Sequence, residues 1–377
     1  MKPVYLQGRG LACALGWDLT SAIEALRRGG VAPARVQVTP DLAWPARTLP
    51  LETDSRADAG GPLATTPISA ETQPGDRSQR LFRAVRAAVG ECGLPDPPSA
   101  TPLLVASSSF SVGDEARTPT DRWVDAQSFA DRVAKALDWR GPVFTVSTAC
   151  TSAANAILTA MDLLSDGAST QALVLGIEFD NRFALAGFGG LQLLSPDRAQ
   201  PFGAERNGLV LGEAVAALRL GVTPARWRLR GGVNQVNGAT PTGADAQTLV
   251  DTCHAALRQA GLATDEIDLL KPQAAGSPGN DAVEAAGLKT LFGARLPPMV
   301  EFKSLIGHAL GASAAAELAL LAACLETGAW PASEHVIDPA LGMTFAMRPP
   351  ARCRHIMFNT IGFGGGHVAL LIEDRHA

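Results

Sequence analysis

The 377-residue sequence lacks the cysteine patterns of a zinc site or of a secreted disulfide framework. It has no CxxC pair, and its six cysteines are scattered at Cys13, Cys92, Cys150, Cys253, Cys324 and Cys353. We therefore expect free thiols in a reducing compartment. The sequence predicts a cytoplasmic protein without a metal ion or another cofactor.

The sequence also lacks an excess of positive charge and long apolar runs. Its net charge of −5 argues against nucleic acid as the main partner. No window approaches 18 uninterrupted apolar residues, and the first residues show no apolar signal-peptide segment, so we expect no membrane span. The hydrophobic content of 46% is enough for one large core or two fused cores.

Short apolar segments alternate with helical segments along the chain. Apolar runs predict buried strands at 4–6, 102–106, 172–177, 227–235, 267–270 and 367–372, with two strand-like pieces within 208–220. Helical patterns predict helices at 19–27, 80–92, 153–164, 244–259, 281–291 and 309–325. Residues 40–77 are rich in Pro, Thr, Asp and Gly and predict a loop-dominated excursion.

Doubly buried strands that alternate with helices indicate an α/β fold with a largely parallel sheet. The order of the predicted elements is similar in the two halves of the chain. We place the boundary in the turn near residue 221, which gives an N-terminal half, 1–220, and a C-terminal half, 221–377.

The segment FTVSTACTSAANAI, residues 144–157, is the most informative part of the sequence. It predicts a strand, a tight turn and the start of a helix, with Cys150 at the turn. The free N–H groups and the positive end of the dipole at a helix N-terminus favour a thiolate. Cys150 is therefore a candidate nucleophile. The alternative is that Cys150 is a small buried apolar residue, as most free cysteines are.

Two further segments carry candidate catalytic or binding residues. FKSLIGHALG, 302–311, places Lys303 and His308 in a turn before a helix. His308 could donate a hydrogen bond to a developing oxyanion or polarise a thioester, or it could simply cap the helix. NTIGFGGGH, 359–367, surrounds Phe363 with glycines that include Gly364 and Gly365. Such a loop lets backbone N–H groups approach a ligand, and it predicts an oxyanion hole, a mobile gate or a plain tight turn.

Other residues have predicted structural roles. In PFGAERNGLVLGE, 201–213, Arg206 and Glu213 flank apolar residues, and we interpret them as a buried ion pair. PQAAGSPGNDAVE, 272–284, is a Gly/Pro loop in which Asp281 caps the next helix. Glu284 and Glu317 are predicted to be structural as well.

Together these motifs resemble the β-ketoacyl-acyl carrier protein synthases of the thiolase superfamily. STACTSA resembles the nucleophile elbow of that family, and FKSLIGHALG resembles its Lys-to-His motif. GFGGG resembles the GFGGTN gating loop, and residues 201–213 resemble the PFD-x-x-R-x-G-F-x-x-GEG segment. AGFGG, 186–190, resembles the loop whose Phe packs between the active residues, here Phe188. The resemblance extends from residue 4 to about residue 373.

The resemblance implies a thiolase-like fold of two duplicated α/β halves, each with a five-stranded sheet, in a five-layered α-β-α-β-α core. It implies dimerisation through an edge strand. It also implies that Cys150, in the N-terminal half, takes an acyl group from an acyl carrier protein. A malonyl carrier would then lose CO₂, and its carbanion would attack the acyl-Cys. Two histidines of the C-terminal half assist decarboxylation in that family.

The sequence departs from the family pattern at one of these histidines. The first histidine lies in an H-G-T-x-T-x-x-x-D segment, and counting back from Asp281 places Gln273 at its position. Glutamine can hydrogen-bond but cannot exchange a proton near neutral pH. The gating loop departs too, because His367 follows Gly366 where the family has Thr-Asn. His367 either compensates in part for the histidine that Gln273 replaces, or it is a core or surface residue at the start of a strand.

Three hypotheses remain open on these residues. The chain is a divergent but active condensing enzyme, a chain-length-factor-like subunit that shapes the acyl tunnel, or a Cys150 acyltransferase that does not decarboxylate. The start of the chain, PVYLQGRGLACALG, resembles synthase-like subunits of type II polyketide and aryl polyene systems. The resemblance implies acyl- and malonyl-loaded carrier proteins as partners, and a heterodimer with a complete ketosynthase in polyketide or fatty acid elongation.

Overall fold

The computed structural model describes residues 2–50, 74–94, 100–112, 125–237 and 241–377. Its helices, in chain order, are α1 Leu19–Arg27, α2 Pro74–Glu91, α3 Ala126–Ala136, α4 Ser152–Ser165, α5 Arg182–Gly190, α6 Ala246–Ala260, α7 Pro278–Phe292, α8 Lys303–Ile306 and α9 Ser313–Thr327. Its strands are β1 Val4–Cys13, β2 Ala34–Thr39, β3 Leu42–Arg47, β4 Leu103–Ala106, β5 Val143–Val146, β6 Gln171–Glu178, β7 Leu211–Gly212, β8 Ala214–Gly221, β9 Trp227–Val236, β10 Leu269–Lys271, β11 His355–Gly362 and β12 Gly366–Asp374.

A nine-stranded mixed sheet forms the frame of the described residues, in the order β10-β11-β12-β9-β1-β8-β6-β4-β5. Its N-terminal part has the five predicted strands, β1, β8, β6, β4 and β5. Its C-terminal part has four strands and not the expected five, namely β9, β12, β11 and β10, beside which Met299 forms an isolated bridge to Leu270. The prediction of a largely parallel sheet is wrong, because five of the eight pairings between the described strands of this sheet are antiparallel. The two parts join where the start of β1 pairs with the start of β9, as at Val4 and Leu229. A smaller sheet consists of β2, β3 and β7.

The layers follow from the period-two alternation of apolar side chains in these strands. In β12, Val368 and Leu370 face the central core, whereas Ala369 and Leu371 face the outer core of the C-terminal part. The central core holds α4 and α9, α6 and α7 cover the outer face of the C-terminal part, and α2 and α3 cover the outer face of the N-terminal part. The prediction of a five-layered α-β-α-β-α core is confirmed.

One apolar segment of the described residues, Leu310–Thr327, is long and apolar enough to cross a membrane, with a mean hydropathy of 1.4. It contains α9 and the short 3₁₀ turn before it. In the fold 83% of this segment is buried. The segment is therefore the central core helix, and its hydrophobicity is explained by burial on all sides.

The sequence patterns located most of the elements but missed several. Helix 19–27 is confirmed at the same residues, whereas the helix predicted at 80–92 begins earlier, at Pro74. The loop prediction for 40–77 is wrong at both ends, where β3 and α2 lie, and residues 51–73 lie outside the described part. Five further elements of the described residues were not predicted, namely β2, α3, α5, α8 and β11. The glycines of α5 and the half-exposed faces of β2 and β3 explain why pattern alone did not reveal them.

Candidate active site

Cys150 lies in a sharp turn between β5 and α4. The preceding residue, Ala149, has φ of 51°, in the left-handed region that favours glycine. Ser152 stabilises this turn, because its hydroxyl accepts from the N–H of Thr148 at 2.9 Å and donates to the carbonyl of Ala149 at 2.6 Å. Two residues after Cys150, α4 begins. The predicted strand–turn–helix arrangement is present, and it fixes the direction of the thiol.

A small cavity beside Cys150 brings together residues from distant parts of the chain. It is lined by Cys150, Phe188, Leu209, Thr242, Gln273, Ala275, Asn280, Asp281, Glu284, His308, Ile361, Gly362 and Phe363. Its volume is about 30 Å³, more than the roughly 10–15 Å³ that a cavity needs to hold one water molecule. Several residues singled out in the sequence therefore meet at this point, whereas Thr242, Asn280 and Ile361 were not anticipated.

The thiol of Cys150 is buried, and burial raises its pKa to about 11. The N–H groups of Phe363 and of Cys150 itself, together with the charge of Lys303, act in the opposite direction. The sequence predicted a thiolate-favouring position, so the direction of the shift is a correction. Its physical reason is desolvation, which outweighs the local dipoles. The other five cysteines are shifted further, to about 12.

His308 is held by β7 and by the start of α9. Its backbone bridges to Leu211, and its own N–H donates to the carbonyl of Val210 at 2.7 Å. The N–H of Leu310 donates to Nδ1 at 3.2 Å, and the hydroxyl of Ser313 lies 2.9 Å from the same nitrogen. Burial and Lys303 lower the pKa of His308 to about 3. The ring is therefore neutral with its proton on Nε2, which makes this atom a hydrogen-bond donor.

Gln273 lies next to this donor. Its side-chain Oε1 accepts from the N–H of Ile361 at 3.3 Å, and its Nε2 lies 3.5 Å from His308 Nε2. The N–H of Leu310 donates to His308 Nδ1, so the ring proton lies on Nε2. The N–H of Ile361 donates to Gln273 Oε1, so the amide nitrogen lies toward His308. His308 Nε2 and Gln273 Nε2 are therefore both donors, and neither can accept a hydrogen bond from the other. The carboxylate of Glu284 holds the loop, because it accepts the N–H groups of Gln273 and Ala274 at 2.6 and 2.8 Å.

Lys303 does not line the cavity and belongs to a buried charge trio. Its ammonium pairs with one carboxylate oxygen of Glu317 at 2.5 Å, and Lys271 pairs with the other. Burial alone would raise the pKa of Glu317, but the two ammonium groups hold it below its usual value. Burial lowers the pKa of Lys271 to about 8. Sequence reasoning missed Lys271, whose only signal is a charge at the end of the apolar strand β10.

Glu178 is a second buried carboxylate that the sequence analysis missed. It ends β6 and accepts hydrogen bonds from the hydroxyls of Ser108 and Ser109 and from the N–H of Gly311 at 3.3 Å. Burial raises its pKa despite these donors. The carboxylate thus ties the serine run after β4 to the 3₁₀ turn that follows His308. The signal was the run of three serines after a buried strand.

Asp281 does not cap α7 as predicted, because the helix begins at Pro278 after Ser277 and Asp281 lies inside its first turn. Asp281 accepts the N–H groups of Phe202, Ala275 and Gly276 at 2.7 to 3.2 Å. It therefore joins the 201–213 segment to the loop before α7. Burial raises the pKa of Asp281 to about 7.

The predicted ion pair between Arg206 and Glu213 is wrong. Arg206 pairs with Asp338 at 2.7 Å. Glu213 accepts the N–H groups of Leu49 and Asp180 at 2.8 and 2.9 Å. The reason is that β7 lies between the two residues and carries Glu213 toward a different part of the fold.

His367 is buried at the start of β12 and does not line the cavity. Its Nε2 accepts from the N–H of Asp245 at 3.3 Å, and its Nδ1 lies 3.0 Å from the carbonyl of Gly365. Burial lowers its pKa. Both ring nitrogens are therefore used by the backbone, and the interpretation as a core histidine holds. Gly364 and Gly365 form the turn before it with φ of 81° and 78°.

Comparisons with known proteins agree with this geometry. The sequence matches the family described as "Beta-ketoacyl synthase, N-terminal domain" over residues 104–222 and the family described as "Beta-ketoacyl synthase, C-terminal domain" over residues 229–336. It is 30% identical over 223 residues to nodulation protein E of Rhizobium sp. (strain N33), which covers 56% of this chain and 55% of that protein. It is 29% identical over 271 residues to a putative polyketide β-ketoacyl synthase 1 of Streptomyces cyaneus, which covers 65% of this chain and 64% of that protein.

The chain thus spans between half and two thirds of the length of these two relatives. Its fold is similar to a solved structure described as a ketosynthase in complex with its chain length factor from Xenorhabdus doucetiae. The TM-score is 0.82 at 23% identity, with 99% of this chain and 98% of that chain covered. The likeness extends over both halves and establishes the thiolase-like fold. With its two matched domains, the chain belongs to the β-ketoacyl synthase family.

Proposed function

We propose that the protein is a ketosynthase-like subunit that accepts an acyl group on Cys150 from an acyl carrier protein and takes part in chain elongation. The observation that carries the proposal is the joint placement of Cys150, Gln273 and His308 around one cavity. In the transfer, the Cys150 sulfur attacks the carrier thioester carbon. The carrier sulfur leaves, and the thiol proton of Cys150 ends on it.

Backbone N–H groups support the transfer step. The N–H groups of Phe363 and Cys150 lower the pKa of the thiol and so partly offset the rise that desolvation causes. The carbonyl oxygen of an acyl group bonded through its carbon to this sulfur would lie within reach of the same donors, which would stabilise the oxyanion of the tetrahedral intermediate. No titratable group is needed for that stabilisation.

The donors of His308 and Gln273 support a second step on a malonyl carrier. The two side-chain nitrogens lie 3.5 Å apart at the cavity. When malonyl thioester loses CO₂, negative charge accumulates on its thioester oxygen, and two donors stabilise that charge. Gln273 cannot hold an additional proton, and the pKa of His308 is too low for it to be charged near pH 7. We therefore expect slow decarboxylation.

The alternative function is acyl transfer to and from Cys150 without decarboxylation, or a chain-length-factor-like role beside a complete synthase. Gln273 favours both alternatives, because it replaces the histidine of the family motif with a group that does not titrate.

We propose a heterodimer, in cytoplasmic polyketide, aryl polyene or fatty acid synthesis. The supporting observation is β5, which is the edge strand of the described sheet and exposes 44% of Phe144. An apolar edge of this kind is an association surface.

Intact-mass analysis tests acyl transfer directly. The chain, alone and co-expressed with a candidate ketosynthase, is incubated with acyl carrier protein and then with malonyl carrier. An acyl adduct on Cys150 that is absent in Cys150→Ser supports the proposal, and a chain that is never acylated overturns it.

Native mass spectrometry measures whether the chain forms a homodimer or a heterodimer. Phe144→Lys should weaken association, whereas the matched change Phe183→Lys on α5 should not. A homodimer that elongates chains alone would favour an autonomous enzyme.

A further inference from the structure

A second cavity lies between the end of α1, the start of β2 and the end of β3. Its volume is about 70 Å³, several times the roughly 10–15 Å³ that a cavity needs to hold one water molecule. It shares no lining residue with the cavity beside Cys150. It is therefore a separate place at which the fold has room for a small molecule.

The lining of this second cavity is apolar except at three residues. Arg28, Arg47 and Thr48 are polar, and the other seven lining residues are alanine, valine, leucine or proline. Two arginine side chains beside an apolar wall favour a ligand with an anionic head and a short apolar body. We call this site the two-arginine cavity.

Arg28 ends α1, and its side chain is exposed. Among the described residues, its guanidinium has neither a hydrogen-bond acceptor nor a carboxylate at ion-pairing distance. The neighbouring Arg27, by contrast, donates to the carbonyl of Thr327 at 3.2 Å. The donors of Arg28 are therefore available to a ligand that enters from solvent.

Arg47, at the end of β3, carries a charge that is only partly compensated. Its Nη2 donates to the carbonyl of Ser304 at 2.5 Å, whereas its Nη1 is buried without an acceptor. Burial lowers the pKa of Arg47 to about 10, and the charges of Glu301 and Glu334 act in the opposite direction. The group is therefore still protonated near pH 7, and an anion in the adjoining cavity would stabilise its charge.

The two carboxylates that act on Arg47 do not occupy the cavity. Glu301 is buried and accepts from the N–H and the hydroxyl of Ser304 at 3.0 and 2.5 Å. Glu334 is exposed, and its Oε1 would lie 3.9 Å from a methyl group built on the glycine that follows Arg28. Neither residue lines the cavity. A carboxylate from solution can therefore enter it, with Glu334 as a competing negative charge nearby.

We propose that the two-arginine cavity binds a short-chain monocarboxylate. The carboxylate oxygens accept from the guanidinium of Arg28, the charge of Arg47 adds to the attraction, and the alkyl group packs against the apolar wall. Inorganic phosphate shares the anionic head but leaves that wall without a partner, so it is the poorer ligand. The site goes beyond the proposed acyl transfer and does not depend on it.

Calorimetric titration of the full chain with propionate tests the site, at pH 7.5 and constant ionic strength. We expect a Kd of about 1 mM, within the range that a ligand of about five non-hydrogen atoms can reach. Arg28→Gln should weaken binding by about five- to tenfold, because a charge-assisted hydrogen bond is lost. Arg27→Gln removes the same charge one residue away and should keep the wild-type Kd.

Two further variants separate the charge from the apolar wall. Glu334→Gln removes the competing charge and should tighten binding by about two- to fivefold. Ala32→Leu narrows the cavity and should weaken the binding of butyrate more than that of acetate. Thermal unfolding of each variant shows that its fold is retained.

Three results would each overturn the inference. One is the absence of saturable binding up to about fifty times the expected Kd. Another is an equal loss of affinity in Arg28→Gln and Arg27→Gln, and the third is phosphate binding as tight as that of propionate. None of these results bears on the acylation of Cys150, so the two proposals fail independently.

Discussion

The rings of Phe188 and Phe363 stack with their centroids 5.3 Å apart and their planes inclined by 12°. Both residues line the cavity beside Cys150, and they come from opposite halves of the chain. Offset stacking of this kind is favourable by about 0.5–1.5 kcal/mol. The stack is therefore a weak contact in the wall of the cavity that also contains the thiol.

Removal of one ring should make Cys150 more accessible. We expect Phe188→Ala to increase the rate of Cys150 alkylation by iodoacetamide several-fold, because the stack is lost and the cavity widens. Peptide mapping after timed labelling measures the rate. Phe183→Ala on the same helix is the matched control, since this ring is 65% exposed and lies outside the cavity. An equal increase in both variants would show that loosening of α5, and not the stack, controls access.

The pH dependence of Cys150 alkylation follows from its raised pKa. With a pKa of about 11, the thiolate fraction should rise about tenfold per pH unit from pH 7 to pH 10. Labelling should concentrate on Cys150, because the pKa values of the other cysteines are raised further, to about 12. Mass mapping at several pH values checks both points, with Cys150→Ser as the blank. A plateau near pH 8, or preferential labelling of Cys92 or Cys253, would contradict this account.

The sequence predicted the parts of the site that lie in contiguous motifs. Cys150, His308 and Phe363 lie in local motifs, Gln273 was identified from its place in the family motif that the sequence resembles, and the fold brings the four residues to one cavity. Contacts between segments that are distant in the chain could not be predicted from the sequence. The partner of Arg206 is Asp338, 132 positions away, and no local pattern links them.

The protonation states of Cys150 and of the buried trio could not be predicted from the sequence either, for a related reason. A helix start favours the Cys150 thiolate, but the sign of its pKa shift depends on how completely other segments bury it. The trio that contains Lys271 likewise forms only when β10 and α9 pack together. Local dipoles can be estimated from the sequence, whereas desolvation and buried charge partners are properties of the assembled core.

Gln273 should limit decarboxylation of malonyl carrier by the wild-type chain. A well-placed acid–base or oxyanion-stabilising group contributes about 10²–10⁴ in rate. We expect Gln273→His to increase CO₂ release measurably, because the new imidazole would lie beside His308 with the same loop anchors on Glu284. Gln273→Leu, which removes the donor without adding a titratable group, should lower it. Fast release by the wild-type chain that neither change alters would show that the step does not use this position.

Two members of the buried trio of Lys271, Glu317 and Lys303 should differ strongly in how much their loss destabilises the fold. Glu317→Gln removes the carboxylate that pairs with both buried ammonium groups and should destabilise the fold by about 3–5 kcal/mol. Lys271→Met should cost little or stabilise, because it removes the surplus ammonium and leaves a one-to-one pair. Urea unfolding of the three proteins at pH 7.5 measures both effects. An equal loss in the two variants would mean that the trio acts as one indivisible unit.

The trio also predicts how stability changes with pH. The pKa of Lys271 in the folded chain, about 8, lies below its usual 10.5. Below pH 8 the group is charged in both states, and the full cost of burying that charge is present. Between about pH 8 and 10.5 the unfolded chain holds a proton that the folded chain has released, so rising pH favours the folded state. The wild-type free energy of unfolding should therefore rise between pH 7.5 and pH 9.5 relative to that of Lys271→Met, in which other titrations cancel. A difference that stays constant over this range would mean that Lys271 keeps its proton in the folded protein.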